Sequence, residues 1–181
     1  MIAYLSYMIG AWYVSRASLR ASGIAANAIA RLFHVFRAGV RRNTRRNLDA
    51  AGSNAPTIDV FRWFARDTRD FLVLGTPKEE ELLRTCVFSG RDRLDAALAA
   101  KRGVVIFLPH LGPWEIAGAY LASLGYDLDT VALEHPSGRV TRFFGDRRRS
   151  SGIVLHDPGA DAMRLVDFKV PVMDDRSSTN A

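Results

Sequence analysis

The residues best placed to do chemistry stand together in Leu108-Pro109-His110-Leu111-Gly112-Pro113-Trp114-Glu115, directly after the most hydrophobic run of the chain, Val104-Val105-Ile106-Phe107-Leu108. On one continuous helix, His110 and Glu115 would point roughly 140° apart by the 3.6-residue period and could not meet. Gly112-Pro113 changes this, because glycine permits a sharp turn and proline suits N1 of a new helix. Glu115 then falls in the first helical turn, free to fold back towards His110. A carboxylate that holds one imidazole nitrogen leaves the other to take a proton from a hydroxyl, and it stabilises the resulting imidazolium. The spacing therefore fits a general base and its orienting carboxylate. It equally fits a histidine satisfying a strand-end carbonyl and a glutamate favouring a helix N-terminus.

Other reactive residue types are less well placed. His135 and His156 have no partners at metal-ligand spacing. His34 sits in a helical stretch beside Phe33 and Phe36, and is read as structural. The lone Cys86 suits a small core residue rather than a nucleophile, and it excludes an intrachain disulfide framework and a multi-thiolate zinc site. The sequence contains no GxSxG, GxGxxG or P-loop motif, which argues against serine hydrolase, dinucleotide enzyme and NTPase. No metal or cofactor is expected.

The 181 residues, 48% hydrophobic and 24% charged, fit one folded domain with a single core. Lysine occurs only at 78, 101 and 169, so nearly all the positive charge behind the net +6 is guanidinium, the group that binds phosphate bidentately. The first fourteen residues carry no charge. They are too few to span a bilayer, which needs about 20 apolar residues, and they lack the basic start of a signal peptide. Tyr4, Tyr7, Trp12 and Tyr13, backed by Arg16 and Arg20, suit a helix lying at a membrane interface over 1–22. An ordinary buried N-terminal helix is the alternative.

Residues 23–90 read as helical. Apolar positions from Ala25 to Val40 recur at three and four, which predicts one amphipathic helix over 24–48 with a basic end at Arg37, Arg41, Arg42, Arg45 and Arg46. Those arginines suit either anionic head groups or a solvated face. Thr57 is a candidate N-cap for a second helix whose stripe is Val60, Phe61, Phe64, Phe71 and Leu72. A short acidic-started helix follows Thr76-Pro77. Over 91–176 the rhythm becomes α/β. Apolar runs at 104–108, 128–133, 153–155 and 170–173 alternate with helical stretches at 92–101, 113–124, 139–149 and 160–168. That order predicts a parallel sheet of βαβ type with flanking helices. The tail 177–181 has no apolar residue larger than alanine to pack, so the sheet is expected to be incomplete at the C-terminus.

The His110-Leu-Gly-Pro-Trp-Glu115 stretch resembles the HxxxxD/E motif of the lipid A lauroyl/myristoyl acyltransferases and the mycobacterial phosphatidylinositol mannoside acyltransferases. The likeness extends along the chain through Arg41-Arg-Asn-Thr-Arg-Arg-Asn-Leu48, Gly103-Val-Val-Ile106, Val131-Ala-Leu-Glu134, Arg149-Ser-Ser-Gly152 and Asp175-Arg176. Pro113 stands where the family usually has asparagine, and family members continue beyond the Asp-Arg motif. The resemblance therefore implies a C-terminally truncated member.

By that resemblance, His110 deprotonates a sugar hydroxyl of a membrane glycolipid, which attacks the thioester of acyl-CoA or acyl carrier protein, with Glu115 orienting His110. Glu134 and Arg149, or its neighbour Arg148, match acceptor-site residues, the carboxylate suiting sugar hydroxyls and the guanidinium a phosphate. The implied location is peripheral, on the cytoplasmic face of the bacterial plasma membrane and against its anionic surface. A second reading is a non-catalytic membrane-associated fragment of such an enzyme. Nucleic-acid binding has charge in its favour but no recognised module, and is not expected.

Overall fold

The computed structural model describes residues 2–101, 103–108, 112–132 and 135–156. The elements run α1 (Ile2–Arg16), α2 (Leu19–Phe36), α3 (Ala38–Ala50), α4 (Thr57–Val73), α5 (Glu79–Leu83), α6 (Arg91–Ala99), α7 (Trp114–Ser123), β1 (Leu128–Val131), α8 (Gly138–Ser150) and β2 (Ile153–His156). Helix α4 is the hub, packed by α1, α2, α3, α5 and α7. Its apolar residues recur with the helical period, and at its C-terminal end Phe71, Leu72, Val73 and the following Leu74 are buried. Ala11 and Val14 of α1, Leu82 and Leu83 of α5, and Ile116 and Ala119 of α7 complete this core. An aromatic cluster seals it, with the Phe144 ring edge-on to Phe71 at 4.8 Å and to Tyr7 at 5.0 Å between centroids.

Two local expectations change. The single helix foreseen over 24–48 breaks at Arg37 (φ −104°, ψ 61°), which separates α2 from α3. The carbonyls freed at the end of α2 are taken up by a side chain, as Arg41 donates to His34 O and, at 3.2 Å, to Val35 O. Hydrophobic periodicity continues across the break, so it gives no sign of it. Thr57 is not the N-cap of α4. Pro56 occupies that position in an extended conformation (φ −62°, ψ 133°), and Thr57 opens the helix with its Oγ1 2.9 Å from His34 Nε2. The ring of His34 also stands edge-on to Phe61 at 5.2 Å, so this histidine pins α2 to α4.

Helix α1 is buried on one face and exposes apolar residues on the other. Ala11 and Val14 are buried, while Leu5, Met8, Ile9 and Trp12 form an exposed apolar stripe at helical spacing. Tyr7 belongs to the aromatic cluster rather than to that stripe. Among the described residues no helix is long and apolar enough to cross a membrane.

The α/β half contains the expected βαβ unit. Strands β1 and β2 pair in parallel, with Leu128 opposite Ile153 and Val131 opposite His156, and α8 connects them. Helix α7 lies against the sheet at Gly118, where a Cβ would stand 3.2 Å from Ile153 Cδ1 and 3.4 Å from Leu128 Cδ2. Of the apolar runs expected to be strands, 128–131 and 153–156 pair among the described residues. The run 104–108 does not, and it leaves Val105 67% and Phe107 92% exposed. An apolar sequence sets extended geometry, but a strand also needs a neighbour to complete its hydrogen bonds. The expected helix 160–168, run 170–173 and tail lie outside the described residues.

Candidate functional site

The turn ahead of α7 forms as its residue types require. Gly112 has φ +71°, a left-handed conformation that a side chain disfavours. Pro113 sits at the N-cap of α7, one residue earlier than the expected N1. Trp114 and Glu115 then enter the first turn, where a carboxylate faces the positive end of the helix dipole.

Glu115 is held by a residue 33 positions away. Arg148 Nε donates to Glu115 Oε2 at 2.9 Å and Arg148 Nη2 donates to Glu115 Oε1, a two-point contact between α8 and α7. The two side chains are 16% and 18% exposed, and the Arg148 guanidinium carbon lies 5.9 Å from the centroid of the Phe71 ring. Bidentate geometry fixes the orientation of the carboxylate as well as neutralising it. Arg149, next in sequence, faces the other way. It pairs with Asp146 at 3.1 Å with 58% of its side chain exposed. His110 and Glu134 lie outside the described residues.

Sequence reasoning missed two residues nearby. Arg147 donates to the carbonyls of Leu72, at 2.6 Å, and of Leu74, tying α8 to the end of α4. Burial lowers its pKa, an effect opposed by Glu79. Nothing in the Arg147-Arg148-Arg149 run marks its first member as the one that reaches the end of α4. Asp67 is the other. It lies on α4 in the stripe that contains Val60, Phe64 and Phe71, and it lines the groove beside Glu115. A carboxylate within an apolar stripe is a legible signal, and the pattern 60, 64, 67, 71 would have found it.

That groove holds about 580 Å³ between α4 and the start of α7, and its walls include Trp63, Phe71, Trp114, Glu115 and Phe144. A second groove of about 780 Å³ runs between α1, α2 and α4, almost wholly apolar, with Arg37 and Arg69 on its walls. Tyr7, Val60, Phe64 and Thr68 line both, so an apolar path leads from Glu115 across α4 towards α2.

The remaining candidates are structural. Burial and the nearby Asp70 push the Cys86 thiol up, away from the thiolate a nucleophile needs. His135 Nδ1 accepts from the backbone N–H of Ser137 within its own loop. His156 Nε2 lies 2.7 Å from Asp129 Oδ1. Among the described residues no cluster of histidine, cysteine, aspartate and glutamate could hold a metal ion.

Comparison with known proteins finds relatives at the level of sequence. Residues 2–168 match the family model for the bacterial lipid A biosynthesis acyltransferases. Two phosphatidylinositol mannoside acyltransferases of Mycobacterium tuberculosis, from strains CDC 1551 / Oshkosh and ATCC 25618 / H37Rv, are each 37% identical over 91 residues. The aligned stretch is 49% of this chain and 29% of each relative, so the chain matches less than a third of their length.

Proposed function

Starting from a chain that belongs to the bacterial lipid A biosynthesis acyltransferase family, we propose that its site transfers a fatty acyl group from a thioester to a sugar hydroxyl of a membrane glycolipid of the phosphatidylinositol mannoside or lipid A type. The donor is acyl-CoA or acyl carrier protein. His110 takes the proton of the acceptor hydroxyl as its oxygen attacks the thioester carbonyl. The tetrahedral intermediate collapses, the C–S bond breaks, and the proton passes to the departing thiolate. Glu115 orients His110 and stabilises its imidazolium form.

The observation that carries this reading is the two-point pair between Arg148 and Glu115 at the wall of an apolar groove. A motif carboxylate fixed to within one rotamer is suited to aiming an imidazole, because small errors of placement cost large factors in rate. Arg148 thereby acts as a positioning residue for Glu115, in addition to the acceptor-site role that it and Arg149 have by resemblance. Glu134 remains the proposed carboxylate for acceptor hydroxyls. The almost wholly apolar groove between α1, α2 and α4 suits an acyl chain.

The exposed stripe of α1 and the exposed Arg37, Arg42 and Arg46 fit a peripheral position on an anionic leaflet. Each basic side chain near such a surface contributes about 1 kcal/mol. On this reading the face is the cytoplasmic one, where acyl thioesters are made. The same surface would serve a membrane-associated fragment without catalysis, the second reading.

The test is transfer of a labelled acyl chain from palmitoyl-CoA to phosphatidylinositol mannosides. Native protein should form the acylated lipid and His110→Ala should not. Arg148→Ala should lower kcat by about tenfold to a hundredfold, and Arg148→Lys should rescue it only in part, because an ammonium cannot reproduce the fork. Vesicle binding without any transfer by the native chain would favour the second reading.

A further inference from the structure

Resting on that reading, we infer that Asp67 is a specificity-determining residue that binds the hydroxyls of the sugar acceptor inside the groove beside Glu115. The position itself is the first argument. Val60, Phe64, Asp67 and Phe71 fall on one line of α4, spaced i, i+4, i+7 and i+11. Three of the four are apolar and the fourth is ionisable, so a packing role does not explain the choice.

The surroundings supply the second argument. Among the described residues two carboxylates line this groove, Glu115 and Asp67. Glu115 is neutralised by Arg148, whereas Asp67 makes no hydrogen bond or ion pair among the described residues. Burial raises its pKa, with no neighbouring cation acting in the opposite sense. An acceptor-only group lining a largely apolar hollow suits a ligand that brings donors.

The third argument is the aromatic frame. Trp63 and Trp114 line the same groove and are 59% and 36% exposed, which adds ring surface to the wall that carries the carboxylate. Arg66 stacks over the Trp63 ring, 5.5 Å from its centroid. Amphipathic rings beside a charged acceptor match a ligand with an apolar face and a hydroxylated edge, which describes a pyranose. The hydroxyl hydrogen bonds to Asp67 are charge-assisted, about twice as strong as neutral ones. They hold the sugar where Glu115 marks the reacting end of the groove.

The experiment uses the whole chain with Trp12→Phe, so that the remaining tryptophans include the two in the groove. Fluorescence is titrated with phosphatidylinositol dimannoside in detergent micelles and, separately, with phosphatidylinositol lacking the sugars. The native background should bind the mannosylated lipid about tenfold more tightly, and Asp67→Asn and Asp67→Ala should reduce that preference to about twofold or less. Transfer assays should show the same variants raising the acceptor KM while the palmitoyl-CoA KM stays constant.

Asparagine keeps the shape and removes a charge disfavoured by burial, so Asp67→Asn is expected to fold. Retention of the sugar preference by Asp67→Asn, its absence from the native protein, or a rise confined to the donor KM would each overturn the inference. Failure of the catalytic reading is seen separately. In that case transfer is absent, or survives His110→Ala, while the sugar preference measured by fluorescence still depends on Asp67.

Discussion

The end of α4 and the run 104–108 are comparably apolar, yet the chain treats them in opposite ways. Val73 and Leu74 are completely buried, whereas Phe107 is 92% exposed. The difference lies in what each conformation needs from the rest of the molecule. A helix satisfies its own backbone and requires only side-chain neighbours, which α1, α5 and α7 supply to α4. An extended run needs partners for its backbone as well as cover for its faces. Among the described residues, strand pairing in this chain is between β1 and β2.

This contrast sets the scale of the expected mutational effects. Leu74→Ala should be the most damaging, because it leaves a cavity at the junction of α4 and α5. A loss of about 2–5 kcal/mol in urea denaturation followed by circular dichroism is expected, and a loss below 1 kcal/mol would mean that the core is looser than the packing indicates.

The neighbouring arginines of α8 repeat the comparison within one turn. Arg148→Ala strips a mostly buried carboxylate of its partner and should cost about 1.5–3 kcal/mol. Arg149→Ala removes an exposed pair and should cost at most about 0.5 kcal/mol. Equal effects in the same denaturation assay would erase the distinction drawn here between the two.

Asp67 tests whether the groove trades stability for function. Burial raises its folded-state pKa above the ordinary 3.8, so the ionised form is disfavoured in the folded chain at neutral pH. The sign follows from proton linkage. Stability should rise as pH falls through the raised value towards 3.8, because the folded state there binds the proton more readily than the unfolded one. Asp67→Asn should therefore raise the urea midpoint at neutral pH, and its advantage should shrink in that lower window. A destabilised Asp67→Asn at neutral pH would point to a structural partner for the carboxylate.

The smallest effect is expected at Phe107. Phe107→Ser should change stability by no more than about 0.5 kcal/mol. A loss of several kcal/mol would show that the run 104–108 is covered in solution, and would remove the contrast with α4 altogether.

Much of the framework was legible in the sequence, for reasons that differ by element. The spacing of Val60, Phe64 and Phe71 disclosed α4, and the alternation of apolar runs with helical stretches disclosed the β1–α8–β2 unit. Gly112-Pro113 disclosed the turn that starts α7. Each of these signals lies within a few residues, the range over which backbone geometry correlates side chains. The break at Arg37 was not legible because Arg41 stabilises it by bonding to carbonyls behind it, a contact that leaves no mark on hydrophobic periodicity.

The candidate site divides along the same line. Residue types and their order alone showed that His110-Leu-Gly-Pro-Trp-Glu115 resembles the motif of a known acyltransferase family. The tertiary structure alone decided that Arg148 rather than Arg149 reaches Glu115, across 33 residues. It also decided that Arg147 ties α8 to carbonyls 73 and 75 residues away. Three consecutive arginines on a helix point about 100° apart, so Arg147 meets α4, Arg148 meets α7, and Arg149 is left to pair with Asp146 of its own helix. The sequence names all three with the same letter, and only the direction of each side chain in the folded molecule separates the clamp on α4, the partner of Glu115 and the surface charge.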